Sequence, residues 1–96
     1  MNKIVLITAN YKQELSISYQ KLCGIYLNDK KSAQLKKSSQ QWINYFPDNG
    51  LAYLYLGASF QLANDTDNAC KNYRLVLKYD KDNKFAKDML GKLNCP

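Results

Sequence analysis

The stretch YFPDNGLAYLYLG, residues 45–57, comes back 34 positions later as YDKDNKFAKDMLG, residues 79–91. Aligned without a gap, the two share Tyr45/Tyr79, Asp48/Asp82, Asn49/Asn83, Ala52/Ala86, Leu56/Leu90 and Gly57/Gly91. Taken one step towards the N-terminus, the same spacing sets Leu22 against Leu56, Cys23 against Gly57, Tyr19 against Tyr53, Tyr26 against Phe60 and Tyr11 against Tyr45. A fixed period of this size marks a chain built of repeated supersecondary units. The units run at about 16–49 and 50–83, with a partial unit or capping helix at 84–94 and a flanking segment at 1–15.

Each unit reads as two helices. In the second unit Leu51, Leu54, Tyr55, Ala58 and Leu62 recur at helical spacing, with Tyr53, Leu56 and Phe60 on an adjoining face, so this helix is covered on two sides. Asn64 suits a left-handed cap, and Asp65, Thr66 or Asp67 suits the start of the next helix. That helix turns Ala69, Cys70, Tyr73, Val76 and Leu77 inward and Lys71, Arg74 and Lys78 outward. In the first unit the helices are Ile17 to Leu27 and Ser32 to Tyr45, the latter stopped by Pro47. Ser39 stands there where a ring is expected, and Trp42 where a small residue is expected, so the indole should fill the missing volume. Residues 3–13 are read as a further helix. IleValLeuIle favours a strand, but no second strand candidate exists to pair with it.

Composition narrows the function. The 96 residues suit one small domain with a modest core. There is no histidine, which removes the commonest general base and metal ligand. No nucleophile has a base near it, the glycines form no phosphate loop, and the reading is of a chain that is not an enzyme and carries no cofactor or metal. The net charge of +6 favours an acidic partner, but Arg74 is the only arginine, and lysines serve bidentate recognition of nucleic acid poorly. Cys23, Cys70 and Cys95 lie far apart without a CxxC pair. They read as reduced, buried thiols, with a bridge between Cys70 and Cys95 as the alternative; a cytoplasmic setting is favoured, with a periplasmic or secreted one as the alternative if a leader has been removed. No apolar run is long enough to span a membrane, and the lysine and short apolar run of MNKIVLITA fall short of a leader, so they are read as part of the fold.

The pattern aromatic-x2-Leu-Gly-x2-aromatic, then Ala-x3-aromatic, resembles the tetratricopeptide repeat. The second unit supplies Tyr53, Leu56, Gly57, Phe60, Ala69 and Tyr73. The family's closing proline is present as Pro47 in the first unit and replaced by Lys81 in the second. The resemblance covers about residues 16–94 and implies an all-α, right-handed solenoid of helix–turn–helix units, about two full repeats with flanking helices.

It also implies a protein-interaction module, an adaptor, chaperone-like holder or assembly subunit, whose first helices line a groove for a peptide or helix. Carried over by position, the lining is Ile17, Gln20, Gly24, Leu27, Leu51, Leu54, Tyr55, Ala58, Gln61, Leu62, Phe85, Asp88, Met89 and Lys92, with Leu54, Tyr55 and Phe85 as anchors. One subclass of the family clamps chaperone C-termini with basic and amide side chains. Those positions here hold Gln20, Gly24, Tyr55, Phe85 and Met89, and that role is not expected. Two alternatives remain at this point. The stripe Lys71, Arg74 and Lys78 could dock nucleic acid or another acidic partner, or the apolar groove could close a homo-oligomer.

Overall fold

Asn49, Asp65 and Asn83 each turn a side-chain oxygen onto a backbone N–H of the turn that follows. Asn49 accepts from Leu51 at 3.0 Å, Asp65 from Asn68 at 3.2 Å and Asn83 from Ala86 at 2.9 Å. These bonds satisfy donors that a helix start leaves without a partner, so a helix begins after each of them. In the computed structural model, which describes the backbone of residues 3–96 and side chains from residue 11 onward, the helices are α1 (Lys3–Asn28), α2 (Ser32–Tyr45), α3 (Gly50–Leu62), α4 (Thr66–Tyr79) and α5 (Lys84–Lys92). Among the described residues there is no strand, and the fold is all-α.

The two tight turns that follow α1 and α3 reverse through left-handed residues, Lys30 at φ 57° and Asn64 at φ 60°. Asn64 was legible as such a position. Lys30 was not, because lysine has no special tolerance for this backbone. The start of α2 differs from its counterparts, since Lys31 occupies the cap position and makes no side-chain cap bond.

One difference from the sequence reading concerns α1. A separate N-terminal helix followed by a helix from Ile17 was expected, whereas α1 runs unbroken for 26 residues. The physical reason is local: YKQELS, residues 11–16, holds no proline or glycine and nothing else that would stop a helix.

α3 is apolar nearly all round and sits at the centre, packed chiefly between α2 and α4 with α1 alongside; α5 packs against α4. Two core clusters result. The first gathers Cys23, Leu35, Trp42, Ala52 and Ala58, and the second Ala69, Tyr73, Val76 and Ala86. Trp42 is only 1 % exposed, and Ser39 beside it is turned back to donate to the Leu35 carbonyl at 2.7 Å. The indole N–H donates to Ser16 Oγ at 3.0 Å, which ties α2 to α1 and satisfies the buried donor. At Gly57 α3 lies tight against α4, since a Cβ there would stand 2.9 Å from Tyr73 Cε1.

The cysteines correct the expectation of three thiols. Cys23 is a buried thiol, but Cys70 and Cys95 form a disulfide across a Cα–Cα distance of 5.7 Å. The cause is the end of α5. Asn94, at φ 52°, reverses the chain, and the Cys95 N–H returns to the Leu90 carbonyl at 3.0 Å, so the last residues fold back towards α4.

Candidate functional site

Leu27 near the end of α1, Ala58, Gln61 and Leu62 in α3, Tyr73 in α4, and Phe85 and Met89 in α5 surround a concavity of about 370 Å³. Its position follows from the caps and turns. The turn at Asn64 sends α4 back along α3, and the cap at Asn83 starts α5 so that its first turns face the end of α3. Leu27 closes the opposite wall because α1 also packs on α3.

The walls are apolar, and their polar groups are few and fixed. The Tyr73 hydroxyl donates to Gln61 Oε1 at 2.7 Å, which holds that side chain at the rim. Burial pushes the Tyr73 phenol up to about 12, so it remains a donor throughout the neutral range. The Tyr73 ring in turn meets Phe85 edge-on, with centroids 6.2 Å apart. Phe85 is 45 % exposed although its edge is anchored, which makes it the large apolar side chain that the concavity presents to solvent. A volume of this size lies at the lower end of the range of small-ligand clefts.

The remaining residues expected in the groove are placed differently. Leu51 and Tyr55 pack on the first core cluster, and Leu54 packs on the second. Tyr55 lies 6.0 Å from Trp42, ring to ring, and its hydroxyl comes within 3.8 Å of where a Gly24 Cβ would be. Two of the three expected anchors are thus largely occupied within the fold, and Phe85 is the one left outward. Ile17, Gln20, Asp88 and Lys92 are exposed and stand outside this concavity. Tyr73 is the lining residue that the sequence reading assigned to the core alone. The repeat pattern specifies that a ring fills the space beside Gly57, but it says nothing about what the ring's far end borders.

A second depression of about 420 Å³ lies over Tyr45 to Asn49. Five consecutive residues of one turn line it, so no second element supplies a converging group, and it is a surface fold of the turn. The basic residues of α4 are partly engaged. Arg74 donates to the backbone carbonyl of Pro96, and the Lys78 ammonium sits 5.3 Å from the centre of the Tyr79 ring, leaving Lys71 exposed on the same helix.

The Cys23 thiol is pushed up to about 11 by burial, which keeps it protonated at neutral pH. Among the described residues no group of three or more histidine, cysteine or carboxylate side chains converges as a metal site, and no helix is long and apolar enough to cross a membrane. No protein-family model matches the chain, and no curated protein or solved structure matches it significantly.

Proposed function

We propose that the chain is a tetratricopeptide-like module, a right-handed solenoid of about two helical-hairpin units with flanking helices, that holds a peptide or helix of a partner protein against the concavity between α1, α3 and α5. The reading rests on the period of 34 in the sequence and on a contact pattern in which each helix packs on its sequence neighbours and α1 also packs on α3. The observation that carries the binding role is the concavity itself, apolar, about 370 Å³, and bordered by the outward Phe85. An apolar side chain of the partner would fill it and release water from Phe85, Met89 and Leu62. The module acts without catalysis.

The basic stripe receives less support as a docking site, because Arg74 and Lys78 already make contacts within the chain. The test is quantitative capture of partners from a lysate of the source cells by the wild-type chain, by Phe85→Glu, and by Lys71→Glu with Lys78→Glu. Proteins retained by the wild type and by the α4 variant, but lost with Phe85→Glu, fit the proposal. Capture that ignores Phe85→Glu, while its helical circular dichroism shows the variant folded, sinks it. Capture abolished by the α4 variant and by salt instead transfers binding to the basic stripe.

A further inference from the structure

From Tyr11 onward, helix α1 is apolar on two sides and packed on one. Tyr19, Tyr26 and Leu27 lie against the first core cluster, around Cys23. On the adjoining face Tyr11, Leu15, Ser18, Leu22 and Ile25 follow one another at alternating steps of four and three, the spacing of a coiled-coil seam. This face is uncovered: Tyr11 is 62 %, Leu22 37 % and Ile25 57 % exposed. In its middle lies a small hollow of about 100 Å³ lined by Leu15, Ser18, Tyr19 and Leu22. Those four stand at i, i+3, i+4 and i+7, the diamond of residues that forms a hole for one side chain of a facing helix.

We propose that this face is a helix-docking seam and that its occupant is α1 of a second copy of the chain, running antiparallel. The hole decides the direction. A parallel pair in register would offer it Ser18 of the second copy, which is too small to fill it. An antiparallel pair that sets Leu15 of one copy over Ser18 of the other fills the hole with leucine, and two-fold symmetry fills the second hole in the same way. Tyr11 then faces Leu22 of the second copy.

Charge agrees with this direction. Lys12, Glu14 and Lys21 border the seam and are exposed. In the antiparallel register Glu14 of each copy runs beside Lys21 of the other, and Lys12 beside Tyr19 of the other, an ion pair and a cation–π contact each made twice. The parallel pair makes neither. In this register the seams of the two copies overlap from Tyr11 to Leu22, about 17 Å at 1.5 Å per residue. Interleaved side chains over that length make a short interface at the low end of the range for specific contacts, so a weak, concentration-dependent dimer is expected. The contact does not involve the concavity and stands or falls separately from the binding role.

Sedimentation of the full chain at about 1 and about 500 µM, a range wide enough to catch a weak dimer, is the test. The mass should rise from that of the 11.1 kDa chain towards twice that value as concentration increases. Leu22→Glu should raise the dissociation constant at least about tenfold, the cost of seating one charge in the seam, with its circular dichroism unchanged because the residue lies outside the core. Glu14→Lys and Lys21→Glu should each weaken the dimer several-fold, and the double reversal should restore it. Phe85→Glu should leave it untouched. A wild-type chain that stays monomeric at the higher concentration overturns the proposal, as does a dimer indifferent to Leu22→Glu or lost with Phe85→Glu. Failure of the double reversal to restore association overturns the antiparallel direction.

Discussion

A methyl group placed on Gly57 would stand 2.9 Å from one Tyr73 ring carbon and 3.0 Å from the next, and neither ring atom belongs to a flexible end. Gly57→Ala is therefore expected to destabilise the chain by about 1–3 kcal/mol, the usual range for overpacking, measured by denaturant unfolding. Trp42→Ala should cost more, about 3–5 kcal/mol, since it empties the centre of the first cluster and strands Ser16 without its indole donor. The role of Gly57 was legible because two helices that approach closely need a small residue opposite a ring, and the sequence supplies both at fixed spacing. The second face of Tyr73 was not, because one side chain borders core at its ring and the concavity at its edge. Its phenol also predicts an alkaline limit. The group lies near 10 when unfolded and about 12 when folded, so the folded state favours the protonated form. That contribution is complete below pH 10 and is lost as the pH climbs towards 12. Tyr19, Tyr53 and Tyr55 are raised too, first of all by burial, and add in the same direction. Thermal unfolding across this window should show stability falling with pH.

Helix boundaries were legible wherever a side chain sets them. Asn49, Asp65 and Asn83 cap as short polar residues do, and Asn83→Ala should cost about 1 kcal/mol of stability through the start of α5. Asp65 adds an acid-side effect. Its carboxyl is held below the usual carboxylate range by the bonds from Asn68, so the cap of α4 is complete above that range and weakens as the pH falls through the folded value. Where boundaries depend on the absence of a signal, the reading went differently. Nothing between Tyr11 and Ser16 ends a helix, and α1 continues through a point where the repeat arithmetic placed a junction. At the turn after α1 the chain uses Lys30 in the left-handed region, at φ 57°. Replacing it with glycine removes a strain of about 1–2 kcal/mol and adds about 0.5–1 kcal/mol of unfolded-state entropy. Lys30→Gly should therefore be mildly stabilising, read as a higher urea midpoint.

At the scale of the molecule, the packing of α3 on two core clusters matches a helix with two apolar faces, and the all-α class follows from helical spacing with no second strand candidate to pair with IleValLeuIle. The concavity was foreseen in part. Phe85, Met89, Leu62, Gln61, Ala58 and Leu27 meet there, whereas Leu54 and Tyr55 pack against the two clusters instead. Spacing alone gives the face on which a residue lies but not how far a neighbouring helix covers that face. The disulfide was legible only as the alternative to free thiols, for a similar reason. Cys70 and Cys95 are 25 residues apart without a motif, and their meeting depends on a reversal at Asn94 that no single residue type dictates. Reduction should lower global stability by about 3 kcal/mol, as for a loop of this length. Amide exchange should show the loss concentrated in α5 and the residues after it.

The wall that carries Phe85 and Met89 belongs to the last helix of the described chain, whose main packing partner is α4, and the bond from Cys70 to Cys95 ties its far end to that same helix. The bridge is thus a latch on one side of a jaw. In the proposed binding role, a ligand would meet a preformed wall with the latch closed; with it opened by a dithiol reductant, the ligand would first have to hold α5 in place, and its affinity would drop by the cost of that ordering. Occupancy of the concavity would then follow the thiol–disulfide balance around the protein, without either cysteine touching what is bound.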